Sequence, residues 1–147
     1  MFKSVSKPFV LLGFSIVILL LLCSWSLRYD IFGGALHIDE SVICMDLDEN
    51  RQPLRKNANI VYGTKQVCLW FKYSKGYEGC HVKISWYYEE KLMWLEQQKL
   101  MSKEGVKAFY LLREDGSLLP AGNYKIVIST PTKILSEIPF AILNKNK

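Results

Sequence analysis

The residues that first ask for chemistry are the two histidines, the four cysteines and a group of acids between Asp39 and Glu49. A metal site needs ligands gathered by short spacings such as Cys-x-x-Cys or His-x-x-x-His, and neither His37 nor His81 has such a neighbour. His81 alternates with core-type residues, so it reads as a solvent-facing side chain. The stretch Asp46-Leu47-Asp48-Glu49-Asn50 begins with the ligand spacing of a calcium loop. Arg51 then stands where the sharp-turn glycine belongs, and Asn57 where the bidentate glutamate belongs. It reads as a solvated acidic loop. No glycine-rich phosphate loop is present, and no nucleophile has a recognisable activating base. The expectation is a protein that is not an enzyme, with no catalytic residue, no cofactor and no metal.

Cys44, Cys68 and Cys80 are an odd set. In an oxidising compartment at least one must stay free or bond another chain. Cys68 and Cys80 fall on opposite faces of their strands, which violates the distances a disulfide needs. A Cys68–Cys80 bridge is therefore disfavoured, while Cys44 can meet either.

A further candidate is aromatic. Val67, Leu69, Phe71 and Tyr73 alternate with Cys68, Trp70 and Lys72, so Trp70 stands outward if the first set is core. With Lys72, and with Lys83 and Tyr87 on the strand taken as its neighbour, it makes a candidate interaction face. Such a face can anchor a protein interface or stack on a sugar. The competing readings are that the Trp94 segment covers it, or that the two faces are inverted.

These residues need elements to hold them, and the chain opens with an anchor. Lys3 and Lys7 precede the uncharged run Val10–Leu27. As a helix that run reaches about 27 Å, close to a bilayer's hydrocarbon core of about 30 Å. It exceeds the apolar region of a cleavable signal, and Ser24-Trp25-Ser26 is a poor cleavage site. Cys23 follows Leu20-Leu21-Leu22, unlike the small residues that precede a lipidated cysteine. An uncleaved signal-anchor is the expectation, with cleavage and lipidation as the alternatives. The two lysines favour a cytoplasmic N-terminus and an extracytoplasmic remainder. The expected divisions are 1–27 cytoplasmic stub and transmembrane helix, 28–40 juxtamembrane linker, and 41–147 exported domain.

That domain reads as β-structure. Residues 66–73 and 80–88 alternate with period two, separated by the polar turn 74–79. The segment 89–104 is rich in helix formers, yet the spacing of its neighbours favours a turn at Glu89-Glu90-Lys91 and then a strand. Strands follow over 106–112, 124–128 and 134–143, the last carrying Pro139, a residue that belongs at an edge or bulge. The stretch 46–59 is expected to be loop. About seven strands at this spacing predict an all-β antiparallel sandwich behind one N-terminal transmembrane helix.

Leu118-Leu119-Pro120-Ala121-Gly122-Asn123-Tyr124-Lys125-Ile126-Val127-Ile128, a polar turn and Pro139-Phe140-Ala141-Ile142-Leu143 resemble the closing hairpin of immunoglobulin-like domains in bacterial membrane-anchored envelope proteins. The resemblance spans roughly residues 42–143. It implies that Tyr124 is a tyrosine-corner residue bonding back to its own corner. Ile126 stands where antibody-type domains carry a cysteine, so their cross-sheet disulfide is absent.

The excess of 19 Lys+Arg over 14 Asp+Glu, a net charge of +5, is small and dispersed. It excludes a nucleic-acid footprint. The reading is a single-pass protein of the bacterial cytoplasmic (inner) membrane whose periplasmic domain binds other envelope proteins, as an accessory subunit of an assembly. The alternative is a carbohydrate- or small-ligand-binding module using the aromatic face.

Overall fold

The computed structural model describes residues 15–22, 36–56 and 59–144. Residues 15–22 are helical, and the chain divides into a unit ending at Ala35 and one beginning at Leu36. Among the described residues no helix is long and apolar enough to cross a membrane. Most of the expected anchor, and all of the expected linker up to Ala35, lie outside the described residues.

Among the described residues the second unit holds ten strands: β1 His37–Cys44, β2 Asp46–Leu47, β3 Pro53–Leu54, β4 Asn59–Val61, β5 Gln66–Ser74, β6 His81–Tyr88, β7 Lys91–Lys99, β8 Gly105–Leu112, β9 Gly122–Ser129 and β10 Ile134–Leu143. One sheet has the order β1-β5-β8, the second β4-β10-β9-β6-β7, and β2-β3 form a small ribbon. All pairings are antiparallel except β4 with β10. The expectation of about seven strands is met by seven long ones, with β2, β3 and β4 as short additions.

Alternation explains the main core. Val67, Leu69, Phe71 and Tyr73 of β5 meet Val82, Ile84 and Trp86 of β6 and Ile126 and Ile128 of β9 in one buried cluster. Phe71 stacks on Phe109 at 5.9 Å between ring centroids, and Tyr124 on Phe140 at 4.9 Å. Each such side chain, fully buried, contributes about 1.5–3 kcal/mol.

Local chemistry closes the ends. The Tyr124 hydroxyl donates to the Pro120 carbonyl at 2.7 Å, the corner bond expected of it. Burial pushes that phenol well above its ordinary range. The β6–β7 turn puts Glu89 (φ 46°) and Glu90 (φ 64°) in the left-handed region. The Glu89 carboxylate compensates by accepting the Asn123 N–H at 2.8 Å. Gly122 (φ 149°) begins β9 because a Cβ there would lie 2.7 Å from the Tyr88 ring. Pro139 faces Lys125 on β9, and β4 pairs only with residues 141–143, so the proline breaks no ladder on its other side.

Three boundaries differ from expectation. Leu36 is buried in the core and β1 starts at His37, so residues 36–40 belong to the sandwich and not to a linker. The expected loop 46–59 contains β2, β3 and the start of β4. The turn between β5 and β6 joins no hairpin, because it carries the chain from one sheet to the other.

Candidate functional site

The four residues of the expected aromatic face do not form one face. Trp70 does lie on the side of β5 opposite Val67, Leu69 and Phe71, but it is only 3% exposed. It packs with Cys44 and Cys68 against Val42, Leu47 and Ala108 in a second, smaller core. The cover is the β2–β3 hairpin, whose turn is held by Asp48: its carboxylate accepts the N–H groups of Asn50 at 2.9 Å and Gln52 at 2.7 Å. The Trp70 indole N–H donates to the Arg51 carbonyl at 2.9 Å. The acidic loop is thus a lid on β5. Lys72 remains exposed at the end of this face. Lys83 and Tyr87 belong to β6, in the opposite sheet, and alternate with its core residues, so they lie on the outer side of that sheet, across the core from Trp70. Tyr87 is moreover half-buried, with the Lys125 ammonium 5.3 Å from its ring centroid.

Exposed apolar surface gathers elsewhere, on β7. This strand pairs with β6 on one side and, among the described residues, with no strand on the other. Leu92, Met93, Trp94 and Leu95 run consecutively along it, and Trp94 is 50% exposed. Trp94, Glu96 and Gln98 pair with Trp86, Ile84 and Val82, whose side chains point into the main core. They therefore occupy the inner side of the large sheet, where the small sheet stops at β8. A slip in the β6–β7 register between Trp86 and Tyr87 lets Met93 and Trp94 occupy consecutive exposed positions.

A groove of about 790 Å³ lies between these two outermost strands. Trp94 and Glu96 line one side, and Tyr110, Leu112, Arg113 and Asp115 the other. Glu96, Glu114 and Asp115 outnumber Arg113, so the groove is acidic. The Ser117 hydroxyl and backbone N–H donate to Asp115 and hold its carboxyl below the usual range. Arg113 reaches it at 3.5 Å. Burial, with Cys68 beside it, pushes the Tyr110 phenol up to about 12.

No family model matches the chain, and no curated protein matches it. Among solved structures it is similar to an immunoglobulin-like protein from Pseudomonas aeruginosa, with a TM-score of 0.56 at 14% identity. The match covers 76% of this chain and 98% of that one. The fold is immunoglobulin-like.

Within the immunoglobulin-like domain the β7–β8 seam offers apolar packing surface and the main-chain hydrogen-bonding groups of a sheet edge. Among the described residues no three His, Cys, Asp or Glu side chains gather as a metal site. His37 and His81 are both exposed. The sequence signal for this site was Leu92-Met93-Trp94-Leu95 itself. A run of four large apolar residues breaks the period-two pattern of a half-buried strand, and both of its faces cannot be core at a sheet edge.

Proposed function

We propose that this protein is a membrane-anchored, extracytoplasmic interaction module that takes up an extended segment of another envelope protein along β7. One observation carries the reading: Leu92–Leu95 are exposed on a strand with a free edge, beside an acidic groove. A free edge supplies a row of main-chain donors and acceptors, and an added strand satisfies them while its alternate side chains enter the groove. The occupant is an apolar β-strand carrying Lys or Arg, because the groove's carboxylates favour a basic side chain. The anchoring part of the proposal rests on Lys3, Lys7 and the uncharged run Val10–Leu27.

A second reading, a glycan-binding module, has Trp94 and Tyr110 in its favour. They stand in one groove and offer aromatic faces to a sugar ring.

A photo-crosslinking amino acid placed at position 94 of the full chain, and separately at position 72, tests the proposal in intact cells. Position 94 should yield an adduct that maps to an extended basic-apolar segment of one envelope protein, and position 72 none. No protein adduct at position 94, or the same adducts at both positions, overturns it. An adduct at position 94 with a glycan instead establishes the second reading.

A further inference from the structure

Cys44 of β1 and Cys68 of β5 are direct partners in the antiparallel ladder. Facing residues in such a ladder have Cα atoms about 4.5–5.5 Å apart, inside the span of about 4.4–6.8 Å that a disulfide bridges. Both side chains lie on the same outer side of the small sheet, packed together under the hairpin with Trp70. The Cys44 sulfur is 3.6 Å from the Cys68 carbonyl oxygen. Cys80 is excluded from the pairing, since it packs in the main core on the other side of the small sheet. The choice that strand faces alone left open, Cys44 with Cys68 or with Cys80, is thereby made.

We propose that Cys44 and Cys68 form a disulfide that ties β1 to β5 beneath the β2–β3 hairpin, independently of what β7 binds. Both residues are almost wholly buried, so the bond must form once β1 and β5 have paired and before the hairpin closes. The oxidant is a disulfide, small-molecule or protein-borne. The Cys68 thiolate attacks one of its sulfurs and expels the other half as a thiol. The Cys44 sulfur, losing its proton, then attacks Cys68 in the mixed disulfide and expels the second half. Two protein thiols are oxidised, the reagent's disulfide is reduced to two thiols, and the two protons end on those thiols. The order of attack follows from the pair itself. A hydrogen bond from Cys44 holds the Cys68 thiol below its usual range, against the effect of burial. The same bond, together with burial, pushes Cys44 up.

The full chain tests this in two samples. One is extracted from membranes with thiols alkylated in denaturant at lysis. The other is unfolded in guanidinium chloride, diluted into oxidised and reduced glutathione, and then alkylated. Peptide mapping should find Cys44 and Cys68 joined, lighter by two hydrogens than the sum of their free peptides, with Cys80 alkylated. The joined pair in either sample supports the proposal. Alkylated Cys44 and Cys68 in both samples, or a bridge that joins either of them to Cys80 or Cys23, overturns it.

Discussion

The indole N–H of Trp70 donates to the backbone carbonyl of Arg51 at 2.9 Å, which fastens the hairpin lid to the strand beneath it. Arg51 adopts a left-handed backbone (φ 59°) to present that carbonyl. Trp70→Ala removes both the bond and the packing of a nearly buried indole, so it should cost about 3–5 kcal/mol of folding free energy. Denaturant unfolding of the full chain in mild detergent measures it. A loss below about 1 kcal/mol would mean that the lid contributes little and that Trp70 is effectively a surface residue.

Trp94 should behave in the opposite way. Half of it faces solvent, so Trp94→Ala is expected to change stability by no more than about 0.5 kcal/mol. Association with the strand proposed to pair along β7 should weaken by about 2 kcal/mol or more, as for a hot-spot tryptophan. Unfolding curves and a binding isotherm on the same variant separate the two quantities. Unchanged affinity would remove Trp94 from the interface.

Tyr124 ties stability to alkaline pH. Its ordinary phenol value is 10.0, and burial raises it in the folded chain. Above about pH 10 the unfolded state therefore releases a proton that the folded state retains, and stability falls as pH rises. Tyr124→Phe should cost about 1 kcal/mol at neutral pH through the lost bond to Pro120. Its deficit should shrink above pH 10, because phenylalanine has no proton to lose. A deficit that stays constant from pH 8 to pH 11 would show that burial does not perturb this phenol.

The β6–β7 turn stores backbone strain. A left-handed conformation costs a residue with a Cβ about 1–2 kcal/mol, and glycine escapes most of that. Glu90→Gly also gives up an exposed ion pair with Lys125 at 3.2 Å, a type worth about 0–1 kcal/mol. The net expectation is a gain of about 0.5 kcal/mol, read as a higher denaturant midpoint. A lower midpoint would mean that the Glu90–Lys125–Tyr87 group outweighs the strain.

Period-two alternation made the sheets legible. Val67, Leu69 and Phe71 face the core as the pattern requires, and residues 91–99 form a strand although their propensity favours helix. There the pairing with β6 outweighs weak local preference. What covers Trp70 was not legible. The lid at 46–54 is polar and turn-rich, and its one strong device, an Asp48 side chain accepting two backbone N–H groups, leaves no periodic trace. Nor does the turn after β5 encode which sheet receives the next strand, so in the sequence Lys83 and Tyr87 read as neighbours of Trp70 although β6 lies in the other sheet. The β7 site is not legible in the sequence, because an apolar run reads as core, and only the strand order places this one at a sheet edge among the described residues.

The free edge of β7 also bears on solubility. An unpaired apolar strand is a template for its own copy, and proteins guard such edges with charge. If two β7 strands paired antiparallel about Leu95, Lys91 of one copy would face Lys99 of the other at both ends of the ribbon. Like charges set directly opposite oppose that register. A heterologous strand meets no such clash, so the same two lysines act as gatekeepers that disfavour self-assembly while leaving the groove open. Lys91→Glu with Lys99 retained would turn both repulsions into attractions, and sedimentation of the full chain should then show dimers where the unmodified chain stays monomeric.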